Sequence, residues 1–260
     1  MIRIIGSQGI IGRDLSRALF ARKDLVIQAP GSWDFDLPSE MKDDLIFYFR
    51  AISSPLSVAT NPVEAFNINV VETRVAIEAM LEKGARVIFA SSDVVYGDTG
   101  IFFASENAHI RPYGEYAIQK ARIEECFGDN SNFLSVRLST VVGEGSKLRE
   151  RLLSQEYYEV FDPLIRNPIH IDDVIYVLKK LIDSDFLRDF PNGILNLGGF
   201  EAMSSYDLAL LEAETLGVNL PKKIHRSALD ILARPGTVRM NSDLAQGFAN
   251  ISFNLRRHYS

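Results

Sequence analysis

Short apolar runs separated by helical periodicity organise the first two-thirds of the chain. Ile2–Ile5, Leu25–Ala29, Leu45–Phe49 and Arg86–Ala90 are four to five residues long. Leu45–Phe49 has no polar alternation, which suits a parallel strand buried on both faces. Between the runs, Arg13–Ala21 reads as a helix. A longer helix is predicted from Pro62 to Glu82, with Asn61 as cap, Pro62 at the first helical position, Glu64 reaching back and Gly84 ending it.

Bulk properties narrow the field. A chain of 260 residues holds one large α/β domain, or one domain with a small appendage. With 47% hydrophobic and 24% charged residues it should fold rather than stay disordered. A formal charge of -6 argues against nucleic acid or an anionic membrane as the main partner, although a local basic pocket could hold phosphates. The single cysteine, Cys126, rules out an intrachain disulfide, reads as a packing residue and fits a reducing cytoplasm. No signal-like apolar core follows Met1, and no run is long enough to span a membrane.

Candidate chemistry begins at Gly6-Ser7-Gln8-Gly9-Ile10-Ile11-Gly12, between the first strand and first helix. Strand, glycine-rich turn and helix together make a phosphate cradle: glycines admit close backbone approach, and the helix N-terminus supplies oriented N–H groups. The second strand ends without an acid to hold the adenosine ribose of NAD, and without an arginine to mark a 2′-phosphate. The first acids beyond it are Asp34 and Asp36, and Asp36-Leu37 could meet the adenine edge, so NAD and NADP both stay open. Polar Ser91-Ser92-Asp93 follows the strand at Arg86–Ala90, where a parallel sheet presents ligand-facing groups. Tyr116 and Lys120 are four apart, so a helix sets them on one face. A free phenol has a pKa of roughly 10, and a neighbouring ammonium favours its ionised form. Tyr113 has Ala117 rather than a lysine four residues on, which assigns the role to Tyr116.

In order and spacing, Gly6/Gly9/Gly12, Ser92 with Val95-Tyr96-Gly97, and Tyr116/Lys120 resemble the extended short-chain dehydrogenase/reductase family: nucleotide-sugar epimerases, dehydratases and reductases. The resemblance covers most of the chain. It continues in Asn67–Val70, in Val136-Arg137-Leu138 with Val142-Gly143, in Arg166–Asp173, in Ile194–Gly198, and in Arg234-Pro235-Gly236 with Asn241–Ala245 behind it. It implies a Rossmann-type doubly wound parallel sheet from residues 1–145 and 168–198, with a small substrate-binding cap from 146–167 and 199–260.

The same resemblance implies roles. Tyr116 exchanges a proton with the substrate oxygen, Ser92 hydrogen-bonds that oxygen, and Lys120 lowers the Tyr116 pKa and holds the nicotinamide ribose. NAD or NADP is held by Gly6, Gln8, Gly9, Ile10, Ile11, Gly12, Asp36, Leu37, Arg50, Ala51 and Asn69, together with Tyr116 and Lys120. A nucleotide-sugar substrate meets Ser92, Asp93, Tyr116 and Thr140, with Arg166 and Arg234 on its diphosphate, and His170 is structural. No metal is implied. Arg50 stands where the family usually has a small residue, and Thr140 where its epimerases commonly have Asn. The dehydratases' Asp-Glu pair is here Asp93-Val94, which points away from dehydration. The expected activity is NAD(P)H-dependent reduction of a nucleotide-activated 4-keto-6-deoxy sugar, in the manner of the deoxysugar 4-ketoreductases. A nucleotide-sugar epimerase is the alternative, and a cofactor-sensing protein without turnover the third reading. The helices beginning at Pro62 and near Tyr113 could pair with their copies in a homodimer, or fill their apolar faces within the monomer.

Overall fold

The computed structural model of the chain describes residues 1–27, 37–42, 44–154 and 159–259. Its centre is a parallel sheet of β1 (Ile2–Ile5), β2 (Leu25–Ile27), β3 (Leu45–Tyr48), β4 (Arg86–Ser92), β5 (Phe133–Leu138) and β6 (Ile194–Leu197). Across the sheet they run β2-β1-β3-β4-β5-β6. Ile2 of β1 pairs with Leu25 on one side and Leu45 on the other. The chain steps outward from β1 to β2 and returns to β3 on the far side of β1. The loops after β1 and β3 therefore part, opening the crevice at the strands' carboxyl ends where such sheets bind ligands.

Helices cover both faces. Leu15 and Leu19, on or just after α1 (Ile10–Ala18), join one apolar cluster with Val174, Val177 and Leu178 of Ile171–Leu181 and Ala245 of Asp243–Ala249. Ala76, Ile77 and Met80 of α2 (Thr73–Glu82) and Ile123 and Phe127 of α3 (Glu115–Phe127) form a second cluster with Ile46, Tyr48 and Phe89. The sheet is thus doubly wound, and all four β3 residues are buried, as a run without alternation requires.

Short ladders lie outside the sheet. Glu159–Asp162 pairs with Lys222–His225, Ile165–Arg166 with Met203–Ser204, and Phe103–Ala104 with Arg239–Met240. Ala245, Ala249 and Phe253 sit in the main sheet's own core.

Several local expectations change. α1 starts at Ile10, inside the glycine turn, and ends at Ala18. Ahead of Pro62 the structure has another helix, Pro55–Thr60, capped by Ser54, whose Oγ accepts from the Ser57 N–H at 3.3 Å. Asn61 makes no side-chain cap, because it joins the two helices with φ -129° and ψ 62°. From Asn67 to Glu72 the helix widens to a π-helical turn before α2. Cys126 is exposed on α3 rather than packed. Asp34 and Asp36 lie outside the described residues. Among the described residues, no helix is long and apolar enough to cross a membrane.

Candidate active site

The glycine turn is shaped by close approach. Gly6 has φ +87°, and a Cβ there would sit 2.6 Å from the Arg50 backbone nitrogen. A Cβ on Gly12 would sit 2.4 Å from the Gly6 carbonyl oxygen. Both positions exclude a side chain. Gly9, the residue before α1, has ordinary φ, and its Cβ would meet the Gly6 oxygen only at 3.7 Å. The protein's own packing does not demand glycine at 9, whereas close approach of a phosphate to that backbone would. The first intrahelical bond runs from the Arg13 N–H to the Gly9 carbonyl. The N–H groups ahead of it face out of the helix end, with no acidic residue in the first turn to compete for them.

A cavity of about 470 Å³ opens beside this turn. Gln8–Gly12 form one wall, Ala51, Ser53 and Pro55 a second, and Ser92, Asp93, Tyr116 and Lys120 the floor. Thr140, Arg166 and Arg234 complete it. Arg13 and Lys147 also line it, so four basic side chains besides the buried Lys120 line one hollow against two carboxylates, Asp93 and Glu150. In a chain of net charge -6 this is a local reversal that suits an anionic ligand. A larger groove of about 920 Å³ between Phe103, Phe200 and Arg239 holds neither the glycine turn nor the Tyr–Lys–Ser group.

Tyr116 and Lys120 lie one turn apart on α3, both buried. Burial pushes the Tyr116 phenol above its usual range, with the Asp93 carboxylate adding to the shift and a hydrogen bond with Ser92 opposing it. Burial lowers Lys120 to about 7, with Glu124 opposing. Its Nζ donates to the Ala90 carbonyl at 2.7 Å and lies 4.5 Å from the Phe89 ring centroid and 5.9 Å from that of Tyr116. The expected lowering of the tyrosine by the lysine is therefore not what the structure holds: desolvation dominates both groups, and the ammonium is spent on a backbone carbonyl. Tyr113 is partly exposed and donates to the Ile231 carbonyl, away from this arrangement.

Asp93 is buried at the cavity edge. Ser139 Oγ donates to its Oδ2 at 2.8 Å, and Arg166 Nε stands 3.8 Å from the same oxygen. Burial raises this carboxyl, against the pull of Arg166, Ser139 and Ser92. Arg166 is itself tied down. Its Nη1 donates to the carbonyls of Ile165 (2.7 Å) and Gly236 (3.1 Å), and its Nη2 to that of Pro235 (2.9 Å). Arg234 pairs with Asp230 at 2.6 Å and keeps a quarter of its side chain exposed.

Other expected contacts stand apart from the cavity lining. Leu37 packs against the second core cluster. Arg50 forms an ion pair with Glu72 at 2.5 Å. Asn69 is 2% exposed and bonds the backbone of Ile52 behind the second wall. His170 and His258 stack at 3.9 Å between centroids, their planes 12° apart, and with Asp172 bring ligand-type atoms within 4.8 Å. Imidazole lone pairs lie in the ring plane, and two nearly parallel planes share no nearby metal position. Sequence reasoning passed over Arg13, Lys147 and Ser139. Ser139 was findable from its place at the end of β5, whereas the two cations carry no sequence signal beyond their charge.

Known proteins resemble the chain in two ways. A family model, the NAD dependent epimerase/dehydratase family, matches residues 35–191, more than half of the chain. The chain belongs to the NAD-dependent epimerase/dehydratase family. Among curated proteins, methionine adenosyltransferase 2 subunit beta of Pongo abelii is 26% identical over 204 residues, covering 74% of this chain and 59% of that protein. The chain thus spans about three-fifths of the length of that curated relative. Among solved structures, MoeE5 in complex with UDP-glucuronic acid and NAD superposes with TM-score 0.80 at 24% identity, covering 99% of this chain and 96% of that one. A hypothetical dTDP-4-dehydrorhamnose reductase from Sulfolobus tokodaii gives 0.79 at 20% identity, covering 97% and 96%. At these identities the solved structures speak to the epimerase/dehydratase fold alone.

Proposed function

We propose that the protein is an NAD(P)H-dependent reductase of a nucleotide-activated 4-keto-6-deoxy sugar. The observation that carries the reading is the convergence, in one cavity, of the glycine turn, Ser92, a buried Tyr116, and the side chains of Arg13, Lys147, Arg166 and Arg234. The cradle at Gly9, flanked by Gly6 and Gly12, fits a pyrophosphate, and Ala51, Ser53 and Lys120 lie where the rest of a dinucleotide would run. When bound, the nicotinamide supplies a hydride to the keto carbon. This chain's part is the proton. Tyr116, held protonated by burial, gives its phenolic hydrogen to the carbonyl oxygen, and the ketone becomes a secondary alcohol. Ser92 orients the same oxygen. Arg234 and Lys147 face the cavity and would meet the sugar nucleotide's phosphates, while Arg166 anchors the wall and Asp93.

Residues 146–167 and 199–260 would form the substrate cap, with Asp243–Phe253 resting on the main core. Val63, Val71 and Val75 stay 84%, 43% and 49% exposed on the helix after Pro62, a face that a homodimer would cover. The single cysteine keeps the cytoplasm as the proposed compartment.

The test is loss of reduced-nicotinamide absorbance with NADH and NADPH against a panel of dTDP-, GDP- and CDP-linked 4-keto-6-deoxy sugars. Oxidation dependent on one sugar supports the reading; none, with interconverted epimers instead, refutes it. A second reading draws on the relative whose name denotes a subunit: a cofactor-binding protein without turnover. It predicts tight dinucleotide binding with no conversion of any sugar nucleotide.

A further inference from the structure

Ser139 lines the cavity just past the end of β5, is buried, and has no role in the reading above. Its Oγ accepts the Asn167 N–H at 3.2 Å, from the loop that follows Arg166. A hydroxyl has one proton to give. With a lone pair turned to Asn167, that proton goes to Asp93 Oδ2 at 2.8 Å. The other carboxylate oxygen, Oδ1, accepts from Ser92 Oγ at 3.3 Å, and Ser92 Oγ takes the Val94 N–H at 3.5 Å. Arg166 Nε stands 3.8 Å from Oδ2, its terminal nitrogens held by backbone carbonyls. Asp93 therefore accepts from two serines, firmly from Ser139 and loosely from Ser92.

The difference in length matters because Ser92 also has a single proton. A strong bond from a hydroxyl to a carboxylate spans about 2.5–2.7 Å. Ser139 comes near that range, and Ser92 does not. An ionised carboxyl that is 3% exposed meets little water and draws on whatever donors surround it. Those bearing on Asp93 are Ser92 and Val94 from its own segment, Ser139 from the end of β5 and Arg166 from the cap side, while Tyr116 faces it from α3. By supplying Oδ2, Ser139 lessens the demand on Ser92. Without it the carboxylate would pull the Ser92 proton in more tightly. A space-filling role would be met by alanine, whereas the Asn167 N–H fixes which way the Ser139 proton points.

We propose that Ser139 is a positioning residue for carbonyl reduction: by holding Asp93, it leaves the Ser92 hydroxyl available to orient the substrate oxygen that Tyr116 protonates. The proposal rests on reading the cavity as that of a reductase. No bond forms or breaks at Ser139 or Asp93. The effect lies in the direction of one hydroxyl at the reacting oxygen, so its loss falls on kcat rather than on KM.

The test uses the full chain with Ser139→Ala, which removes the donor, and Ser139→Thr, which keeps it. Two readouts are taken. One is kcat and KM for whichever keto sugar of the panel the parent reduces. The other is the pH titration of the Asp93 carboxyl carbon by NMR in cofactor-free protein, its signal assigned by its loss in Asp93→Asn. Ser139→Ala is expected to lower kcat about tenfold with KM within about twofold of the parent. Its Asp93 should titrate at higher pH than in the parent, because a donor to the ionised form is gone. Ser139→Thr should stay close to the parent in both. An unchanged Asp93 titration in Ser139→Ala overturns the proposal, as does a raised one with kcat within twofold of the parent. Equal losses in the alanine and threonine variants also overturn it, since they would trace to packing. If the parent reduces no sugar of the panel, the reading of the cavity as a reductase fails and the positioning role falls with it. The titration needs no substrate, so it separates that failure from the absence of the Ser139–Asp93 bond. Should Ser139→Ala fail to fold, Ser139→Cys, with only a weak donor, carries both measurements.

Discussion

Lys120 should be a liability to the fold, and its replacement should show this quantitatively. Moving a lysine from its ordinary 10.5 to about 7 corresponds to roughly 5 kcal/mol of lost stability for the charged form. Between those two values the unfolded chain holds the proton and the folded chain does not, so the parent gains stability as pH rises through the window. That gain is complete above the unfolded value and absent below about 7. Lys120→Met removes the titration and keeps most of the volume. It also forfeits the 2.7 Å bond from Lys120 Nζ to the Ala90 carbonyl, worth about 1–2 kcal/mol. The variant should then be more stable than the parent at pH 7 by about 2–3 kcal/mol, in the manner of residues kept for function at the expense of stability. The advantage should shrink by about 2 kcal/mol at pH 9. Urea unfolding of cofactor-free protein at both pH values measures this, provided each curve is a single transition with unchanged slope. An advantage equal at pH 7 and pH 9 would refute the reasoning, because it would place the Lys120 proton affinity in the ordinary range.

Three further outcomes are expected. Tyr116→Phe keeps the ring in its buried place and removes the donor, so kcat for keto-sugar reduction should fall about 10²–10⁴-fold with cofactor affinity little changed; full turnover would move the proton to another group. Gly12→Ala forces a Cβ to 2.4 Å from the Gly6 oxygen and should destabilise by about 1–3 kcal/mol in thermal melts, whereas Gly9→Ala, with 3.7 Å of room, should melt like the parent and still lose dinucleotide binding. Equal effects of the two alanines on stability would show that the turn relaxes. His170 is held below its usual value by burial and by His258 and Arg149, against Asp172 and Asp173. Its neutral form is thus the folded one, and stability kept above about 6.5 should be lost as pH falls through the lowered value. His170→Asn should flatten the fall in melting temperature between pH 7 and pH 5, and an unchanged slope would count against it.

Periodicity and spacing are local, and what they encode was legible in the chain. The apolar runs at Ile2, Leu25, Leu45 and Arg86 became four strands of the sheet, and the glycine spacing became a strand–turn–helix cradle. The four-residue interval between Tyr116 and Lys120 set both on one helix because a helical repeat needs no outside information. Even the break at Asn61 was partly readable, since Pro62 starts a helix, although the helix from Pro55 and the π turn were not: both depend on what the segment packs against.

Partners and protonation belonged to the tertiary structure. Lys120 meets the Ala90 carbonyl, thirty residues away, rather than the phenol it was expected to activate. Arg166 is claimed by carbonyls some seventy residues on, Arg50 by Glu72, and Asn69 by Ile52 and Gln119. A guanidinium or amide in a sequence advertises hydrogen bonds without naming who receives them. The sign of the Tyr116 shift was beyond the sequence for the same reason: a neighbouring cation lowers a phenol's pKa and burial raises it, and only the packed fold determines how much water each group gives up.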